Sequence, residues 1–133
     1  MNDERLWSGF QDRTLTHTEW THVAHLRTAW LHLERWGLDE AHLRMRVGII
    51  RLNAVHGTEE TIKRGYHETI TRAWFAIVAS LRRIDRCHDS LEFVTKHASL
   101  LERDAPLRHY TRELLFSPQS RAVYLPPDLS PLP

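Results

Sequence analysis

The stretch THTEWTHVAHLRTAWLHLERWG, residues 16–37, decides the fold. Thr16 and Glu19 have the spacing of a capping box, in which each side chain satisfies a backbone N–H at a helix start. Gly37 is a natural stop. The spacing predicts a helix from Thr16 to Trp36. At ~100° per residue, His22, Leu26, Ala29 and Leu33 fall on one stripe. His25, His32 and Trp36 flank it, and Arg27, Glu34 and Arg35 lie on the far side.

Further helices follow on either side of polar breaks. One is predicted from Asp39 to His56, stopped by Gly57, and it carries two apolar stripes. Leu43, Val47, Ile50 and Ala54 form the first. Met45, Ile49, Leu52 and His56 form the second, nearly opposite, so the helix is expected to be buried on both sides, within the fold or between subunits. A third helix is expected to start at Gly65 or Tyr66 and reach Arg86. Its stripe runs through Ile70, Trp74, Ile77, Val78, Leu81 and Ile84, with His67 at the edge. A fourth begins at Asp89 or Ser90, with Glu92 completing the cap, and runs to Arg103. A short helix is expected at Leu107 to Leu115, and Ser117-Pro118 reads as an N-cap followed by proline at the first helical position. The tail carries Pro126, Pro127, Pro131 and Pro133 and cannot be helical. It is expected to be an extended arm whose Leu125, Leu129 and Leu132 pack on the bundle. No strand pattern and no internal repeat occur. The expected fold is therefore all-α: a compact bundle of four main helices plus a short C-terminal helix and a proline-rich arm. Residues 1–13 are expected to be a flexible N-terminal segment, and residues 14–133 a single helical metal-binding domain.

Composition narrows the function classes. The 133 residues suit one hydrophobic core. With 18 basic and 17 acidic residues there is no cationic excess to neutralise a phosphate backbone, so no nucleic-acid partner is expected. The longest uncharged apolar run, Ala73 to Leu81, is far short of the ~20 residues that span a bilayer. No membrane partner is expected. Met1 to Phe10 lacks the basic and apolar regions of a signal peptide, and Cys87 is the single cysteine. Both point to a reducing cytoplasm.

The chemistry rests on histidine, of which there are ten. His22 and His25 are three apart, about 60° around a helix, so both rings reach one point beside it. Imidazole nitrogen is a common ligand of zinc, iron, copper and nickel. The same residues also read as core histidines bonded within the fold. The segment Tyr66-His67-Glu68-Thr69-Ile70-Thr71 adds a third histidine at the core edge, with Thr71 one turn later. Glu68 is rotated ~100° away unless the first helical turn is irregular, and an acidic residue at a helix N-terminus is also favoured by the macrodipole. His-Glu-x-x-His is absent, because residue 71 is threonine. A second Glu-x-x-His to match Glu19-His22 is also absent, which argues against a carboxylate-bridged dimetal bundle. Cys87 and His88 are helix neighbours that point apart and make no nucleophilic pair.

These motifs resemble those of a family of small all-helical bacterial proteins. The resemblance is carried by Thr21-His22-x-x-His25-Leu26, by Tyr66-His67-Glu68-Thr69-Ile70-Thr71, by Ser117-Pro118 with Arg121, and by Pro127-Asp128-Leu129 with Pro131-Leu132. It spans about Thr16 to Pro133. It implies that His22, His25 and His67 belong to one site, and it brings no reaction with it.

The sequence thus predicts a mononuclear metal centre on His22, His25 and His67, with zinc or iron ahead of copper or nickel. An open fourth position is the mark of a catalytic metal, so an enzyme acting on a small molecule is expected. Glu68, Tyr66 and Thr71 are the candidate catalytic residues, with Glu68 as a ligand or a general base. The alternatives are a non-catalytic helical interaction protein and a metal carrier or sensor. The two-faced second helix suggests a homodimer.

Overall fold

A computed structural model describes residues 1–133. Its helices are α1 (Asp3–Gln11), α2 (His22–Leu33), α3 (Leu38–Val55), α4 (Glu68–Ile84), α5 (Ser90–Lys96), α6 (Arg112–Leu115) and α7 (Pro118–Ala122). Two 3-10 turns, Ala98–Leu100 and Ala105–Arg108, lie between α5 and α6, and there is no strand. The all-helical bundle expected from the sequence is what the chain adopts. No helix is long and apolar enough to cross a membrane.

Helix α2 is the axis of the fold, packed against α1, α3, α4 and α5. It is buried from Leu26 through Leu33; of its predicted polar side Glu34 and Arg35 are exposed, but Arg27 is not. Arg27 is the telling case. Its guanidinium donates to Ser90 Oγ at 2.7 Å, to the Met1 carbonyl at 2.8 Å and to Asp3 Oδ1 at 3.1 Å. The Asp3 carboxylate also accepts from the Ser90 backbone N–H at 3.0 Å. One buried cation thereby ties α1 and α5 to the centre, where a charge must be paired and hydrogen-bonded.

The N-terminal segment, expected to be flexible, forms α1. Asn2 caps it by accepting from the Arg5 N–H at 2.8 Å. Leu6 and Phe10 are fully buried in the main core, each contributing roughly 1.5–3 kcal/mol. Gly48 of α3 allows this docking, because a Cβ there would stand 2.3 Å from the Phe10 ring.

Helix starts differ from expectation for local reasons. The Thr16–Glu19 capping box forms, with Thr16 N–H donating to Glu19 Oε1 at 2.8 Å and Glu19 N–H to Thr16 Oγ1 at 3.2 Å. It closes only a turn. Thr21 is extended and caps a second time, accepting from the Ala24 N–H at 3.2 Å, and this later cap starts α2. Likewise α4 begins at Glu68, after His67 as its N-cap. Gly65 turns the chain just before, at φ +92°, a region open to glycine. The fourth expected helix stops at Lys96 and continues as 3-10 turns, and the Leu107–Leu115 helix shrinks to the single turn of α6. Ser117 caps α7 with proline in its first turn, as read. The arm docks: Tyr110 donates to the Leu125 carbonyl at 2.7 Å, and Asp128 accepts from Thr111 N–H and Oγ1 at 2.8 and 2.7 Å.

Of the two stripes on α3, only Met45, Ile49 and Leu52 face the core. Leu43, Val47 and Ile50 remain exposed.

Candidate functional site

A cavity of about 310 Å³ lies between α2, α3 and α4, bordered also by Arg103. Its walls are mainly apolar: Leu26 and Ala29 from α2, Met45 and Ile49 from α3, and Ile70, Trp74 and Phe75 from α4. Trp20, Thr21, His22, His25 and Thr71 also line it.

Hydrogen bonding fixes the tautomers of the histidine pair. His22 Nε2 lies 2.9 Å from the Leu101 carbonyl, so that nitrogen carries the proton and Nδ1 keeps its lone pair. His25 Nδ1 lies 2.7 Å from the Thr21 carbonyl, so the proton sits there and Nε2 keeps the lone pair. No protein group hydrogen-bonds either free nitrogen. Aromatic rings hold both imidazoles: Trp20 lies over His25 with centroids 3.8 Å apart, and Trp74 lies 5.1 Å from His22. Burial pushes the His25 pKa down to about 4, opposed by the Thr21 carbonyl and aided by the neighbouring His22 and Arg103. His25 is therefore neutral at physiological pH, the form in which imidazole binds a metal or accepts a hydrogen bond.

His67 stands apart from the pair. Its Nδ1 accepts from the Ile70 N–H at 3.0 Å, and its Nε2–H donates to the Leu115 carbonyl at 2.9 Å. Both ring nitrogens are used, one capping α4 and one holding α6. The expectation placed His67 within a helix begun at Gly65. Because α4 begins at Glu68, the ring instead folds back over the first turn. No group of three or more His, Cys, Asp or Glu side chains is placed to hold a metal ion, so the expected three-histidine cluster is not brought together.

Glu68 is buried, where the regular-helix reading had it pointing away. Its carboxylate accepts from Tyr66 Oη at 2.8 Å and from Arg46 at 2.9 Å, with His42 Nε2 2.8 Å away. Burial, then the bond to Glu68 and its charge, push the Tyr66 phenol far above its usual range. Glu68 and Tyr66 face a separate depression shared with Arg46 and Arg121, and neither lines the histidine cavity. Thr71 does line it, with its hydroxyl donating to the His67 carbonyl at 2.7 Å.

The sequence reading missed His42, Arg46 and Arg103. His42 had a signal, since it continues the Met45–Ile49–Leu52 stripe by helical spacing. Arg103 had none, because its place at the cavity depends on the turns that replace the end of the fourth predicted helix. Comparison with known protein families, curated proteins and solved structures found no match to this chain, so the geometry alone carries the functional reading.

Proposed function

We propose that this protein is a metal-dependent enzyme acting on a small molecule in the α2–α3–α4 cavity. His22 Nδ1 and His25 Nε2 hold one divalent transition metal, zinc or iron. The observation that carries this reading is the tautomer pattern. Metal-ligating histidines characteristically donate the second ring N–H to a backbone carbonyl or carboxylate, and both members of this pair do so. Two protein ligands leave positions open for water and substrate. The lone pair on His67 Nδ1 already accepts from the Ile70 N–H, so His67 is not part of the proposed set. Thr71 is the catalytic candidate that reaches the cavity, and Glu68 and Tyr66 hold α3 to α4.

Metal analysis of protein purified without an affinity tag tests the reading. One zinc or iron per chain in the wild type and none in His22→Ala is expected. Metal-free protein that also fails to take up added zinc at neutral pH contradicts it. The engagement of both His67 nitrogens favours a second reading, a metal-free binding protein in which the pair accepts hydrogen bonds from its ligand.

The exposed stripe of Leu43, Val47 and Ile50 supports a homodimer. Val47→Glu should then yield a monomer in sedimentation, whereas Ile49, an inward residue, is no probe of that surface. The single, unpaired Cys87 supports a cytoplasmic location.

A further inference from the structure

One side chain lining the cavity carries a permanent charge. Arg103 sits at its rim, is exposed, and makes no hydrogen bond or ion pair within the protein. No aspartate or glutamate lines the cavity, and the sequence neighbours Glu102 and Asp104 stay outside it. A guanidinium left unpaired beside an apolar chamber presents a planar set of donors suited to bidentate recognition of a carboxylate. The rest of the lining suits an apolar body. Trp20, Trp74 and Phe75 are aromatic, and Met45 and Ile49 add apolar surface. About 310 Å³ is at the small end of ligand pockets.

We infer that the ligand of this cavity is a small monocarboxylate with an aromatic or branched apolar body, its carboxylate on Arg103 and its body between Trp20 and Trp74. In the metal-free protein His25 Nε2 makes no hydrogen bond within the fold and leaves an acceptor nitrogen beside the ligand. The inference deepens the proposed function and rests on its reading of the cavity as the substrate site.

The test uses full-length protein stripped of metal, so that a carboxylate cannot bind through an adventitious ion. Calorimetric titration compares phenylacetate with phenylacetamide, which has the same shape without the charge. Phenylacetate should bind at least tenfold more tightly to the wild type. Arg103→Gln should remove that preference and leave the amide's affinity unchanged. Because Arg103 is exposed and unbonded, the variant should keep the wild-type circular dichroism and melting temperature. Equal affinity for acid and amide, a preference that survives Arg103→Gln, or no binding of either compound at millimolar concentration overturns the inference. Zinc titration of the same proteins separates the two claims. Metal uptake without an acid preference removes the carboxylate and keeps the metal, and an acid preference without metal uptake does the reverse.

Discussion

Two regions of this molecule use histidine in opposite ways. At the cavity, His22 and His25 each commit one nitrogen to a backbone carbonyl and leave the other as a lone pair. At the start of α4, His67 commits both nitrogens to the protein. The residue type is the same, and each lies on or beside an apolar stripe. The difference lies in the helix start. His22 is inside a helix whose cap is supplied by Thr21, so its ring is free to face a cavity. His67 is itself the cap, and an N-cap side chain turns back to satisfy the first helical turn.

The contrast can be sharpened first by pH, which should produce the largest effect. Burial pushes both His25 and the core residue His32 down to about 4 from an ordinary 6.5. Each is neutral when folded and protonates more readily when unfolded. Stability is therefore complete above pH 6.5 and lost as pH falls toward 4. Denaturant melts should show a loss of roughly 2 kcal/mol per histidine between pH 7 and pH 5. A flat profile across that range would mean that these rings are solvated.

Substituting the cap comes next. His67→Ala removes an N-cap and leaves the Leu115 carbonyl without a partner, and should lower stability by about 2–3 kcal/mol. His67→Asn restores the cap and should recover about 1 kcal/mol. Equal damage from both variants would show that the bond to Leu115 dominates.

Much of this contrast was hidden in the sequence, and the reasons are specific. The all-helical bundle was legible because the stripes on α2 and α4 are long and amphipathic, and the caps at Asp89 and Ser117 have unambiguous spacing. The beginnings of α2 and α4 were not. Thr16 and Thr21 both make good caps, and only tertiary packing of Trp20 over His25 and against Phe10 decides between them. The fate of residues 1–13 was equally hidden, because nothing in the sequence marks Arg27 as the buried partner of Asp3 and Ser90. As for the site, spacing gave the His22–His25 pair directly. Association of His67 with it required a helix start two or three residues earlier than the one formed.

Glu68→Gln should have a smaller effect than His67→Ala. The amide keeps the shape but weakens the bonds from Tyr66, His42 and Arg46, with an expected loss of about 1–2 kcal/mol. Because Glu68 does not line the cavity, metal uptake should be unchanged. Weaker metal binding in this variant would place Glu68 in the site after all. The smallest effect is expected from truncation after Tyr124, which deletes the docked arm and its contacts to Tyr110 and Thr111. The melting temperature should fall modestly while the histidine cavity stays intact, and an unchanged value would show that the arm adds nothing to the fold.

The central claim is that His22 and His25 serve the cavity while His67 serves the fold. Cobalt(II) titration followed by visible absorption, run in parallel on His25→Ala and His67→Asn, tests it most directly. The account predicts that His25→Ala loses the cobalt bands and that His67→Asn, though less stable, keeps the wild-type spectrum. A spectrum lost in His67→Asn and retained in His25→Ala would contradict it.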